Sequence, residues 1–129
     1  MAKILVDTSI IIDSTRQRDK TQTFLSKLTG ENQELYISML THAESYGGKS
    51  VWESEDAMEL LEKILSGMTI LYPDEKISKA AGKIQSEHSI GIVDSIIAAT
   101  AIAHKLPLAT LNLKHFKLIK GLKLFRLKN

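Results

Sequence analysis

The stretch KILVDTSIII, residues 3 to 12, decides the fold of this chain. Its first part, KILV at 3 to 6, is a short apolar run that is typical of a buried strand. Asp7 interrupts the run, and the apolar pattern that resumes after it predicts the start of a helix over 9–14. Asp7 therefore stands at the carboxyl end of a predicted strand, where parallel α/β proteins place functional side chains.

The same alternation of strands and helices continues along the chain. Further strands are predicted at 34–38, 68–72, 107–110 and 122–127, and helices are predicted at 20–29, 39–47, 54–66, after Pro73 and at 91–103. The last of these helices is apolar on nearly every side, which predicts burial. This alternation predicts a parallel sheet that is covered by helices on both faces.

Composition limits the class of protein. The 129 residues, 43% apolar and 25% charged, fit one domain over 1–129 with a buried core. The absence of cysteine excludes a disulfide framework and a thiolate metal site. The sequence shows neither the pattern of a signal peptide nor an apolar run long enough to span a bilayer. We therefore expect a soluble, cytoplasmic protein.

Charge is distributed unevenly along the chain. Residues 1–103 carry a balance of −5, whereas residues 104–129 hold seven Lys or Arg and no acid, which together give the net charge of +2. A basic segment beside an acidic body suggests an anionic partner such as nucleic acid. The alternative is an ordinary solvated surface, because the lysines of this segment punctuate an apolar pattern.

Three acids occupy unusual positions. Asp7 follows the first strand, where its simplest role is to cap a helix. Glu44 shares a helical stripe with Leu40 and Ala43, which places it on the inward face or at the edge of that face, in reach of water. Asp94 opens the most apolar helix, where an acid also favours the helix dipole. If the three meet, a cation would be needed to offset their repulsion, and oxygen ligands suit Mg²⁺ or Mn²⁺.

Several longer motifs carry a family resemblance. They are VDTSIIID at 6–13, SMLTHAESYGG at 38–48, IVDSIIAATAIAHKLPLATLNLKHF at 92–116 and KLIKGLKLFRL at 117–127. In order and spacing they resemble a PIN-domain ribonuclease, most closely the VapC-type toxins of toxin–antitoxin pairs. The resemblance implies a three-layer α/β/α fold with a five-stranded parallel sheet, and Mg²⁺- or Mn²⁺-dependent hydrolysis of RNA phosphodiester bonds.

The resemblance also implies the residues of the site. Asp7, Glu44 and Asp94 match the first three acids of the family and would be the metal ligands, Glu44 directly or through water. Thr110 matches a hydroxyl that is often found near the metal. Asn112 stands where many relatives have a fourth acid, so the site loses one formal charge, which leaves open whether a second ion is held.

Other residues are assigned lesser roles. His115 is placed to act as a base, although a histidine beside Phe116 is more often a surface or packing residue. The side chains predicted to contact the RNA backbone are basic: Arg16, Arg18, Lys20, Lys114 and Lys117. The resemblance further implies a homodimer and an antitoxin protein that binds a groove of the 39–66 region, with Trp52 and Met58 as candidate contacts.

Two other classes of protein that use an Asp as nucleophile or phosphate acceptor fit the sequence poorly. A haloacid-dehalogenase-like phosphatase needs a second acid where this chain has Ser9, and a receiver domain has only Asp74, behind a proline, to offer as acceptor. Two alternatives stay open: a non-catalytic PIN-fold module that binds RNA or protein, and a PIN nuclease of RNA processing that has no antitoxin.

Overall fold

The computed structural model describes residues 2–29 and 33–126. The elements, in chain order, are β1 (Lys3–Val6), α1 (Thr8–Arg16), a 3-10 helix (Lys20–Gln22), α2 (Phe24–Thr29), β2 (Glu34–Ser38), α3 (Met39–Ser45), α4 (Lys49–Glu53), α5 (Glu55–Ser66), β3 (Met68–Leu71), α6 (Glu75–Glu87), α7 (Ile92–Ala103), β4 (Leu108–Ala109) and α8 (Leu113–Phe116).

The strands form one parallel sheet in the order β3-β2-β1-β4. β1 lies inside the sheet, and its Leu5 pairs with Tyr36 on one side and Leu108 on the other. Because all four strands run in the same direction, their carboxyl ends meet at one edge. The residues after β1, β2 and β4 are therefore brought together there.

Helices cover both faces of the sheet, so the predicted three-layer α/β/α architecture is confirmed. Ile4 and Val6 of β1 pack in a core with residues of α1, α2 and α5. Leu5, between them in sequence, packs on the opposite face with residues of α6 and α7. This alternation is the period of two that places successive strand side chains on opposite faces. The apolar helix α7 is buried as predicted, from Ile97 through Ala101.

The sheet has four strands rather than the predicted five. The segment predicted as a strand at 122–127 forms a single parallel bridge, between Leu108 and Leu124. Its two backbone hydrogen bonds run from Leu108 N to Lys123 O and from Phe125 N to Leu108 O. β4 is only two residues long, so it offers too little backbone for a longer ladder. Residue 127 lies outside the described residues.

Two predicted helices also differ in the structure. The helix predicted at 20–29 is interrupted at Thr23, whose hydroxyl accepts a hydrogen bond from Ser26 N at 3.0 Å and so starts α2 separately. The helix predicted at 39–47 ends at Ser45, and a separate helix, α4, follows a short break. A Cβ atom at Gly47 would lie 3.2 Å from the carbonyl oxygen of Glu44, so the break favours glycine at this position.

Within residues 2–29 and 33–126, the structure contains no helix with both the length and the hydropathy needed to cross a bilayer.

Candidate active site

Asp7 lies at the centre of the site. Its side chain is 2% exposed, and it caps α1 as the local sequence predicts. Its Oδ1 accepts hydrogen bonds from Ser9 N at 3.0 Å, from Ser9 Oγ at 2.5 Å and from Ile10 N at 3.4 Å. Its Oδ2 accepts from Thr110 Oγ1 at 2.5 Å. Both carboxylate oxygens are therefore oriented by fixed donors.

Burial raises the pKa of the Asp7 carboxyl above its ordinary value, because the charged form loses contact with water. The hydrogen bonds from Ser9, Thr110 and Ile10 lower the pKa in turn, without cancelling the effect of burial. The carboxylate is thus held in place but is costly to ionise. A nearby cation would favour its charged form.

The segment after β4 is attached to the start of α1 by side chains. Thr110, which is buried, bonds Asp7 through its hydroxyl and accepts from Asn112 N at 2.9 Å. Ser9 Oγ accepts from Leu111 N at 3.0 Å while it donates to Asp7. The predicted position of Thr110 in the site is therefore matched by a direct contact with the predicted metal ligand. Ser9 makes the second connection.

Glu44 lies at the same edge of the sheet but is exposed. The buried face of α3 is formed by Thr41 and Ser45, so the inward placement of Glu44 is wrong and the alternative, an edge position in reach of water, is confirmed. Thr8 donates a 2.6 Å hydrogen bond to Glu44 Oε1 and lies 3.1 Å from the Thr41 hydroxyl. Glu44 is thereby joined to the residue next to Asp7.

Asp94 is half-buried in the first turn of α7, with a side chain that is 33% exposed. Its Oδ2 lies 3.5 Å from Nδ1 of His115, whose side chain is 56% exposed. This contact forms an ion pair when the imidazole is protonated. His115 also packs near Phe116, with ring centroids 6.5 Å apart. The structure thus joins His115 to Asp94, an acid that the sequence had singled out separately.

Asn112 precedes α8, and its side chain makes no capping hydrogen bond to that helix. The residue is exposed and lines a groove of about 330 Å³ formed by residues 111–115. Its side chain is therefore available to a ligand at the edge of the site. This position suits the predicted role of a neutral oxygen ligand or hydrogen-bond donor.

The basic residues predicted to contact RNA differ in their surroundings. All five are exposed, and no side-chain hydrogen bond or ion pair is described for four of them, Arg16, Arg18, Lys114 and Lys117. Lys20 instead uses its ammonium group to donate to Ser14 O at 2.9 Å and Thr15 O at 3.1 Å, near the end of α1. Its contacts thus stabilise a helix end, as cations do near the carboxyl end of the dipole.

The donor chemistry of the site fits a hard divalent ion. Asp7, Glu44 and Asp94 all offer carboxylate oxygens, which Mg²⁺ and Mn²⁺ prefer. Among residues 2–29 and 33–126, however, no three acidic or histidine side chains stand close enough to form a metal-ligand group. The residues therefore match the ion in type, while the three acids keep separate partners: Ser9 and Thr110 for Asp7, Thr8 for Glu44 and His115 for Asp94.

Two links in the site had no signal in the sequence. The Thr8–Glu44 hydrogen bond spans 36 positions, and the His115–Asp94 contact joins α7 to α8. Neither pair shows a spacing that periodicity can detect. The contact of Ser9 with Asp7 could have been predicted from the sequence, because a hydroxyl two residues after a helix-capping Asp is well placed to bond the same carboxylate.

Comparison with known proteins identifies the family. A family model described as the PIN domain matches residues 4–122. The chain is 35% identical over 131 residues to ribonuclease VapC1 of Methanocaldococcus jannaschii, which covers 96% of this chain and 88% of that protein. It is 32% identical over 123 residues to ribonuclease VapC19 of Mycobacterium tuberculosis, over 92% of this chain and 95% of that protein.

Solved structures show the same fold. A chain of the VapBC2 complex from Rickettsia felis, bound to a DNA fragment from its promoter, matches with a TM-score of 0.78 and 27% identity over 98% of this chain and 99% of that one. A chain of a toxin–antitoxin complex from Klebsiella pneumoniae matches with a TM-score of 0.71 and 29% identity, over 92% and 94%. With the family model matching most of its length, this chain belongs to the PIN domain family.

Proposed function

We propose that this chain is a divalent-metal-dependent endoribonuclease, and that it acts as the toxin of a toxin–antitoxin pair. The observation that carries the proposal is the buried carboxylate of Asp7, held by Ser9 and Thr110 at the carboxyl edge of the sheet. Relatives that match nearly the whole chain are named ribonuclease VapC, and similar solved chains come from VapBC complexes. Both similarities support the proposal.

In this proposal the three acids have different roles at the metal ion. Asp7 and Asp94 would hold the ion, and Glu44 would contact it directly or through water. When bound, Mg²⁺ or Mn²⁺ would supply an activated water and neutralise charge that develops on the scissile phosphate. Ser9 and Thr110 fix the Asp7 carboxylate, so little side-chain freedom is lost when the ligand shell forms. Asn112, being neutral, leaves the shell with one charge fewer than a fourth acid would give.

The decisive experiment is RNA cleavage with a matched pair of variants. Wild-type protein should cleave a mixed RNA pool when Mg²⁺ or Mn²⁺ is present and stop when a chelator is added. Asp7→Asn should abolish cleavage. Asp56→Asn, which changes an exposed acid on α5, should cleave like the wild type. Absence of metal-dependent cleavage in the wild-type protein would refute the nuclease function.

A non-catalytic PIN module is the second candidate. The observation that favours it is that the three acids keep separate partners in the described structure, and that Asn112 replaces a possible fourth acid. Such a module would bind RNA or protein without cutting RNA at any metal concentration. The cleavage experiment therefore separates the two candidates directly.

The antitoxin is the proposed protein partner. Trp52 is 69% exposed and lines a groove of about 490 Å³ with Met58. Three acids of α5 also line this groove: Glu55, Glu59 and Glu62. An aromatic anchor with an acidic rim fits a partner segment that is apolar and basic. A nuclease of RNA processing without an antitoxin would give no such complex.

The proposal also includes an oligomeric state and a cellular location. We expect a homodimer in the cytoplasm, where the RNA substrate is found. Analytical ultracentrifugation of the isolated protein tests the dimer.

A further inference from the structure

A second groove borders the site on the side of α8. It has a volume of about 210 Å³ and is lined by His88, Ser89, Ile90, Lys114, His115 and Leu118. Lys114 and His115 also line the 330 Å³ groove that contains Asn112, so the two grooves are neighbours that share these two side chains. We call the 210 Å³ groove the His88–Leu118 groove. One of its lining residues, His115, also contacts Asp94, a predicted metal ligand.

Charge in the His88–Leu118 groove favours an anion. Its lining includes one lysine, two histidines and no acid, although the Asp94 carboxylate lies 3.5 Å from His115. Lys114 is exposed, and Lys117 and Lys120 are exposed nearby in sequence. The proposed substrate offers such an anion, a phosphate of the RNA backbone.

The groove also has an apolar side. Leu118 is 75% exposed, which makes it one of the most exposed large apolar side chains of the described residues. Ile90 is half-buried beside it in the same groove. An exposed apolar residue beside a lysine has no role in the core, because water reaches most of its surface. It is suited to contact the face of an unstacked base, which is available in single-stranded RNA and hidden inside a duplex.

We propose that the His88–Leu118 groove binds one nucleotide of single-stranded RNA next to the scissile phosphate. Lys114 contacts the phosphate, and Leu118 with Ile90 contacts the base. The groove volume of about 210 Å³ is below the roughly 300–1,000 Å³ of typical ligand pockets, so it has no room for more than one nucleotide. This inference rests on the proposed ribonuclease function, because it takes RNA as the ligand.

The test measures RNA binding apart from cleavage. All variants are made in an Asp7→Asn background, so that the RNA stays intact, and a fluorescent single-stranded RNA of mixed sequence is compared with the same RNA annealed to its complement. Lys114→Gln should reduce the slope of log affinity against log salt by about 0.7, the value for one phosphate contact to a single strand. Leu118→Ser should weaken single-strand binding about tenfold and leave duplex binding unchanged.

Lys63→Gln is the matched control, since Lys63 is an exposed lysine of α5, in the layer on the opposite face of the sheet. It should leave the salt dependence as it is. Equal salt slopes for Lys114→Gln and Lys63→Gln would overturn the inference, as would equal loss of single-strand and duplex binding in Leu118→Ser. If Lys114→Gln weakens only antitoxin binding, the groove belongs to the protein partner and the inference is likewise wrong.

The inference and the proposed function fail in different ways. A wild-type protein that does not cleave RNA refutes the nuclease function, whatever the groove binds. A wild-type protein that cleaves RNA, together with Lys114 and Leu118 variants that bind RNA normally, refutes only the nucleotide groove.

Discussion

The hydroxyl of Thr110 donates a 2.5 Å hydrogen bond to Asp7 Oδ2 across 103 positions of sequence. This bond ties the loop after β4 to the cap of α1. The Asp7 carboxylate is buried, so the loss of this donor leaves an acceptor without compensation.

We therefore expect Thr110→Val to lower the free energy of unfolding by about 1–3 kcal/mol. Urea denaturation measures the change. Thr110→Ser keeps the hydroxyl and should recover most of the stability. Equal stability of Thr110→Val and wild type would show that the bond contributes nothing.

Asp7 also predicts how stability depends on pH. Its folded-state pKa is raised by burial, so its stabilising contribution is complete below the unfolded pKa, near 3.8, and is lost as pH rises through the folded pKa. This loss of stability applies when no cation is bound. In chelator, Asp7→Asn should therefore raise the free energy of unfolding at pH 7, because the neutral amide side chain has no charge to desolvate.

Urea denaturation of both proteins between pH 4 and neutral pH checks this prediction. The gain from Asp7→Asn should grow with pH and shrink as the pH falls towards the unfolded pKa near 3.8, below which the carboxyl binds a proton in both states. A gain that is independent of pH would contradict the titration of Asp7 as its cause.

Metal should reverse the effect of Asp7 on stability. If Asp7 ligates Mg²⁺ or Mn²⁺, saturating ion stabilises the wild type, by about 2.7 kcal/mol at a hundredfold excess over Kd. Asp7→Asn should lose most of that stabilisation. Thermal melts with and without Mn²⁺ measure it, and Asp56→Asn serves as the control for loss of one acidic charge. Equal stabilisation of all three proteins would place the ion elsewhere.

Lys105 offers a prediction about the backbone. It follows α7 with a φ of 55°, the left-handed region, while Leu106 N donates to Ala101 O and Lys105 N donates to Ile102 O. These two bonds close a helix end that usually has glycine at this position. Lys105→Gly should stabilise the protein by about 1 kcal/mol, a rise in Tm of about 4 °C. Lys105→Ala removes the same charge but keeps the strain, so it should give no such rise.

Trp52 supplies a signal for the antitoxin complex. It is the single tryptophan of the chain and is 69% exposed. If a partner covers the 490 Å³ groove that Trp52 lines, the fluorescence of Trp52 should shift to shorter wavelength, because the indole leaves water.

Trp52→Ala should weaken the complex by about 2 kcal/mol or more, as the loss of an interface anchor does. Tyr72→Ala, at another exposed aromatic residue, is the control. An unchanged spectrum in a formed complex would place the interface elsewhere.

Local pattern predicted most of the fold. The strands β1 to β4 and the helices α5, α6 and α7 follow from periodicity, because their burial is set by nearby residues. The strand predicted at 122–127 is absent from the described sheet, because β4, its neighbour, has only two residues with which to pair. The helix α4 was not predicted either, because its five residues are too few to show a helical period.

The candidate site was predictable by residue type but not by contact. The position of Asp7 after a strand and of Asp94 in the first turn of a buried helix marked both acids. The exposed position of Glu44 could not be separated from an inward one, because the α3 stripe includes Ala43, whose small side chain gives little indication of direction. The contacts of Glu44 with Thr8 and of Asp94 with His115 arise from packing between distant elements, which the sequence does not encode locally.

The short β4 has a consequence for aggregation. Its outer edge is covered by the segment around Leu124, held by two hydrogen bonds to Leu108. When that segment opens locally, β4 exposes unpaired backbone groups that can template pairing with another chain. The same segment carries exposed Lys120, Lys123 and Arg126, and like charges on two such edges repel. The basic segment around Leu124 thus covers the β4 edge and adds positive charge beside it, and both features oppose edge-to-edge association.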